Sequence, residues 1–433
     1  MNQINSKDEL IRYFTKASKK ENQVKIGVEH EKFLFKEKNK RINFKEVTKI
    51  FNSLQKFNWK PVKENNVIIA LSKNKKKITL EPGNQIELSG APLKSIHLNC
   101  DESYQFLNEL KKICSELNLK MISSSFDPFS KLQDISKNPK SRYKIMDEEM
   151  PKDGKLSLEM MYQTTGTQVN LDYTSEKDFT KKFKLMAYLV PISIGIFANS
   201  PFKESKLNGY SSYRSKVWQK TSRGGLPISF LEDMTFEKYV DISINLPLLF
   251  IYKNSIYRKG EGYTFKDFMK GKIKSLNKAK PNITDFENHL GTMFNEIRLK
   301  KYIEIRSLDT CEWNCHCAGP AFYTGLAYGS LNESHDIIKK WKTSDVLNAY
   351  LEAPKKGLNT IIGNKTLLEW GKIFLNLSKK GLKKRAIKNK NGDDESIFLE
   401  SVEKILLNEK TKADLLTLRF KEEKNLEFLY EKK

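Results

Sequence analysis

The sequence predicts an α+β protein, an antiparallel sheet with helices packed against one of its faces. Four segments alternate apolar and polar residues with a period of two, two long segments repeat apolar residues at helical spacing, and everything after about Ser330 reads as helix. In a strand residues i and i+2 share a face, whereas the neighbours on a helix face recur at three and four.

The first strand lies in residues 24–31, with Val24, Ile26 and Val28 on one face and Glu29 and Glu31 on the other. In residues 78–89 a Pro-Gly-Asn turn separates Glu81 from a strand in which Gln85, Glu87 and Ser89 oppose Ile86 and Leu88. Ile96, Cys100, Leu107, Leu110, Cys114 and Leu117 then recur at helical spacing, with both cysteines facing inward. At about 1.5 Å per residue those cysteines stand roughly 21 Å apart, too far to bond to each other. The third strand, residues 167–172, sets Gln168, Asn170 and Asp172 on one face. A second helix runs from about Glu176 to Ala198 and should kink at Pro191. In the fourth strand, residues 301–306, Tyr302, Glu304 and Arg306 oppose Ile303 and Ile305. Residues 336–341, 367–377 and 397–407 have helical apolar spacing, with a charged break at 388–395. No repeat or linker divides the first 330 residues, so we expect a catalytic unit over 1–335 and a helical extension, 336–433, packed upon it.

The 433 residues carry 77 Lys+Arg against 53 Asp+Glu, a net charge of +24, which raises the possibility of a nucleic-acid binder. Only ten of the basic residues are arginine, and the basic runs at 73–77 and 379–385 lack interleaved aromatics, so solvated loops and helix ends explain them and no nucleic-acid partner is expected. With 39% hydrophobic and 11% aromatic residues the chain buries a substantial core. Residues 1–20 have no apolar signal region and the longest apolar stretch, 185–198, is too short to span a bilayer, so we expect a cytoplasmic protein with no membrane partner. Five cysteines, an odd number, argue against a disulfide scaffold, and reduced thiols are expected.

A solvated sheet face would also alternate, and in so lysine-rich a chain it should carry lysine. These faces instead hold Glu29, Glu31, Glu81, Glu87, Glu304, Gln168 and Asn170. Two carboxylates about 4 Å apart repel by roughly 4 kcal/mol at an effective dielectric near 20, so a converging cluster needs cations or raised pKa values. Such an oxygen-rich set suits Mg²⁺ or Mn²⁺. Within such a cluster, removing Glu304 should leave the metal-free protein as stable as before or slightly more so.

Five blocks, residues 26–33, 80–93, 168–172, 212–215 and 296–306, resemble in sequence and order the motifs of the glutamate-cysteine ligase family of plant and proteobacterial type. The resemblance covers roughly residues 22–330. It implies a glutamine-synthetase-like curved antiparallel sheet lining an active-site funnel, with helices on the outer face. It implies ATP-dependent joining of the glutamate γ-carboxylate to the cysteine amine through a γ-glutamyl phosphate, the first step of glutathione biosynthesis, by a monomer or homodimer. By resemblance Glu29, Glu31, Glu81, Glu87 and Glu304 are metal carboxylates, and Gln168 and Asn170 contact the metal or nucleotide. Glu304, Arg306 and Arg298 would act at the transferring phosphate, while Arg214 and, more weakly matched, Arg142 would hold the substrate glutamate.

Members of the family often carry a tyrosine where this chain has Leu249, which leaves open a different amine acceptor or a different thiol pathway. Cys100 and Cys317 match positions that are cysteine in plant members, some of them thiol-regulated, whereas Cys311 and Cys315 match none. The spacing from Cys311 to Cys317 lacks the distant second pair of a structural zinc site.

Overall fold

The computed structural model describes residues 3–64 and 66–431. Nine strands build one sheet: β1 (Ile26–Phe35), β2 (Lys60–Glu64), β3 (Val67–Lys73), β4 (Lys76–Leu80), β5 (Ile86–Ser89), β6 (Lys120–Ile122), β7 (Gly166–Leu171), β8 (Ile297–Leu299) and β9 (Ile303–Asp309). Their order is β8-β9-β7-β1-β5-β4-β3-β2, with β6 extending the sheet beside the end of β1, and every pairing is antiparallel. The fold is therefore α+β, as the alternation of residues predicts.

Apolar residues of β1, β7 and β9, among them Val28, Val169 and Ile305, share one core with the helices Glu176–Tyr188, Val190–Ile196, Ala318–Tyr328 and Leu367–Arg385. A second core lies between β3, β4, β5 and the helices Phe44–Leu54 and Ile96–Glu116. The helix Ile96–Glu116 starts at Ser95, whose side chain accepts from the amide of Leu98, and it buries Cys114 while leaving Cys100 half-buried. The segment expected as one kinked helix through Pro191 is two helices meeting at Leu189, because proline supplies no amide hydrogen and suits a first turn.

Helices cover the polar face as well, which differs from helices on the outer face alone. The short helices Ser141–Glu149, Ser157–Gln163 and Tyr213–Trp218 carry a third apolar cluster built around Met146, Met160, Met161 and Trp218. Residue 335 lies inside the helix Leu331–Ile338, and Phe374 and Leu382 from beyond it belong to the main core. The chain then returns to β1, where Glu431 pairs with the fully buried Lys32 at 3.1 Å. Among the described residues no helix is long and apolar enough to cross a membrane.

Candidate active site

Strand register gathers the polar residues. Glu31 stands opposite Glu87 and Glu29 opposite Ser89 between β1 and β5; Glu29 also faces Gln168 on β7, Asn170 faces Glu304 on β9, and Arg298 on β8 faces Glu304. A bulge after Ile305 sets Arg306 beside Gln168, whose side-chain oxygen accepts from Arg306 Nη1. Far from being solvated, this face buries Glu31, Glu87, Gln168, Glu304 and Arg306. It floors a cavity of about 270 Å³ that Glu29, Glu31, Glu81, Glu87, Gln168, Arg298, Lys300 and Arg306 line. The opposite wall is Arg142, Tyr143, Met146, Met160, Met161, Trp218, Phe250 and Phe294.

On the acidic side, Glu31 accepts from the amide of Gly166 at 2.7 Å and from Gln168 Nε2 at 3.2 Å, and Glu29 from Asn170 Nδ2 at 2.9 Å. Glu87 accepts from Thr79 Oγ1 at 2.7 Å and from Ser89 Oγ. Burial, followed by the charges of Glu87 and Glu304, pushes Glu29 up to about 7. Burial and the neighbouring Glu81 and Glu87 push Glu31 well above the usual carboxylate range, and burial with Glu81 raises Glu87 despite its two hydroxyl donors. Glu81 sits at the Pro82-Gly83-Asn84 turn, where Asn84 takes a positive φ of 62° and a Cβ on Gly83 would come within 2.5 Å of Tyr162 O.

Glu304 adds to the charge that raises Glu29, but its own nearest charged neighbours are cations. Arg298 Nε and Lys300 Nζ (3.2 Å) donate to it and Arg306 Nη1 lies 3.4 Å away, so both of its oxygens face cations. Burial alone would raise it, but these three cations outweigh burial and hold Glu304 well below the usual range. It does not line the cavity. Expected among the metal carboxylates, Glu304 here engages Arg298, Lys300 and Arg306 at the cavity floor with both of its oxygens. Among the described residues no three His, Cys, Asp or Glu side chains converge enough to hold a metal ion by themselves.

Arg214, expected to hold the substrate glutamate, is buried beside the cavity. Only 2% exposed, it stacks on Trp218 with its guanidinium carbon 4.9 Å from the ring centroid, donates to Arg306 O, and lies 4.0 Å from Asp309. A Cβ on Gly166 would meet Arg214 Nη2 at 2.7 Å, so this glycine lets the guanidinium pass close over the polar face of β7. Arg214 is packed beside Trp218 on the carboxylate-bearing face, with Nε and Nη1 buried and without a hydrogen-bond partner among the described residues, and is not among the residues that line the cavity. Leu249 is likewise behind the wall, in the cluster with Met160 and Met161, and Asn170 lines a neighbouring 180 Å³ recess that shares Glu29. Arg142 does line the cavity, its guanidinium over the ring of Tyr143. Lys300, Trp218 and the three methionines are site residues that strand alternation misses; the signal for Trp218 is its i+4 spacing from Arg214 on one helix.

The expectation of reduced thiols throughout is corrected at one place: Cys311 is bonded to Cys315, their Cα atoms 5.8 Å apart across a short turn after β9. Cys100, Cys114 and Cys317 are free.

A cavity floored by an antiparallel sheet, acidic on one side and cationic on the other, defines the site of an enzyme acting on small charged molecules. Over residues 25–432 the chain matches the model of glutamate-cysteine ligase family 2, and it belongs to that family. It is 39% identical to the chloroplastic glutamate-cysteine ligase B of rice over 95% of this chain and 83% of that one. It is 37% identical to the chloroplastic glutamate-cysteine ligase of Arabidopsis thaliana over 95% of this chain and 79% of that one. The solved glutamate-cysteine ligase of Francisella tularensis, in complex with AMP, aligns with a TM-score of 0.48 at 13% identity over 94% of this chain and 86% of that one.

Proposed function

We propose that this protein joins the γ-carboxylate of L-glutamate to the amine of L-cysteine at the expense of ATP. A γ-carboxylate oxygen attacks the γ-phosphorus of ATP and ADP leaves; the amine then attacks the acyl carbon of the γ-glutamyl phosphate, phosphate leaves, and the amine gives up a proton. Family membership supports this reading, and the observation that carries it is the division of one cavity into an acidic side, a cationic side and an apolar wall.

Arg298, Lys300 and Arg306, held in place by Glu304, suit the oxygens of the transferring phosphate. Arg142, at the far wall, suits a substrate carboxylate. Met146, Met160, Met161 and Phe250 make a soft, apolar surface for a thiol side chain. Glu29, Glu31, Glu81 and Glu87 fit Mg²⁺ or Mn²⁺ by their chemistry as all-oxygen donors, and the raised pKa values of Glu29, Glu31 and Glu87 mark negative charge that a cation would relieve. Bound there, the cation would neutralise the polyphosphate.

A panel of amines tests the substrate assignment. With ATP, Mg²⁺ and glutamate, ADP release should be fastest in kcat/KM with cysteine, and 2-aminobutyrate should follow within roughly 100-fold, the range that one apolar group commands in a pocket. An amine that exceeds cysteine would replace it as the substrate and leave the ligase chemistry in place.

A further inference from the structure

The Cys311–Cys315 bond closes a turn directly after β9 and forms one wall of a second cleft, of about 200 Å³, on the side of the fold away from the carboxylates. Phe197 and Ile405 make its apolar floor, and Lys404, Lys410 and Lys412 stand around it. Lys404 pairs with Glu400 and Lys412 with Glu312, while Lys410 has no carboxylate within ion-pair distance among the described residues. Asn199, 2% exposed, also lines the cleft; its Nδ2 is spent on Ser123 O and Thr310 O, and its Oδ1 has no partner. The cleft thus presents a half-buried disulfide, a free acceptor and an excess of positive charge together. Of the free thiols, burial pushes Cys114 up to about 12, and Cys317 is buried against the half-buried Cys100.

We propose that Cys311–Cys315 is a thiol–disulfide exchange site selective for small anionic thiols that carry an amide, the chemical class of the product assigned above. In the exchange a thiolate attacks one sulfur of the pair, the Cys311–Cys315 bond breaks, and the other sulfur leaves as a thiolate that takes a proton from water. A second thiolate attacks the mixed disulfide, so that two thiols become one small disulfide and the protein pair becomes a dithiol. The lysines favour the carboxylates of the incoming thiol, and Asn199 Oδ1 can accept its amide hydrogen. Opening is reported within the turn by Trp313, 38% exposed, whose ring centroid lies 5.1 Å from Tyr104 and 5.8 Å from His316.

The test uses the full chain in its oxidised state and needs no turnover, so its outcome is independent of the ligase reading. γ-Glutamylcysteine, neutral 2-mercaptoethanol and cationic cysteamine are compared at equal thiolate concentration, with alkylation and mass measurement of residues 311–315 and Trp313 emission as readouts. γ-Glutamylcysteine should open the pair about tenfold faster than 2-mercaptoethanol, with cysteamine slowest, and raised salt should erase the order. Lys404→Gln with Lys410→Gln should remove the advantage while leaving the 2-mercaptoethanol rate unchanged. Equal rates for the three thiols, an advantage that survives the lysine replacements, or a pair that stays unbonded in the oxidised folded protein would overturn the proposal.

Discussion

Glu31 and Glu87 stand directly opposite each other in the register of β1 and β5, both buried, and both with their pKa values raised. Glu304, two strands from Glu31 on the same face, is equally buried and shifted the other way. The difference is the neighbours: carboxylates crowd the first two, whereas Arg298, Lys300 and Arg306 surround the third. Opposite responses to neutralisation follow.

Glu29→Gln should stabilise the metal-free protein near and above neutral pH. Glu29 is pushed up to about 7, so the native state holds a proton that the unfolded chain releases near the ordinary carboxylate value. Stability therefore falls as pH rises from about 4.5 to about 7, and the cost is fully present above that. Glutamine keeps an oxygen for Asn170 and carries no charge, so thermal melts across this window should be flatter for the variant and meet the wild type at acid pH. A variant that melts lower than wild type at pH 8 would contradict the burial cost.

Glu304→Gln should destabilise, by roughly 3 to 5 kcal/mol, the usual cost of breaking a buried pair, because three cations lose their counter-charge. This reverses the expectation from like-charge crowding. With its pKa lowered, the carboxylate contributes stability that is present above its unfolded value and lost as the pH falls toward the folded one, so the deficit should shrink in acid. Turnover should also fall by about 100-fold or more, through Arg298 and Arg306 losing their positions. Denaturant melts and single-turnover phosphate release read the two effects separately.

Arg214→Lys should lower kcat and melting temperature while moving the KM values for glutamate and ATP alike. An ammonium can neither stack flat on Trp218 nor span to Arg306 O, and the change is felt through Arg306. A selective rise in the glutamate KM would return Arg214 to direct contact with that substrate.

Much of this site is legible in the chain. Alternation alone puts Glu29 with Glu31, and Gln168 with Asn170, because a strand has only two faces. Which strands adjoin is not legible, since pairing depends on long-range register; that Arg298 faces Glu304 follows from the tight turn at Lys300–Tyr302, whose amide and carbonyl bond at 2.9 Å. The three cations around Glu304 are therefore brought to it by pairing that alternation alone does not show. Arg214 shows the same limit. Its motif marks it as important, but only the fold brings it against Gly166 and Trp218. The methionine wall comes from two short helices whose apolar residues look like ordinary core until the sheet is set opposite them.

Activation of the γ-carboxylate by phosphoryl transfer is the step on which the proposed ligation depends. Glutamate labelled with ¹⁸O in its γ-carboxylate, incubated with ATP, Mg²⁺ and cysteine, measures it directly. An acyl phosphate requires one labelled oxygen to appear in each inorganic phosphate released, together with ADP and γ-glutamylcysteine in equal amounts. Unlabelled phosphate, or label recovered in AMP, would contradict it.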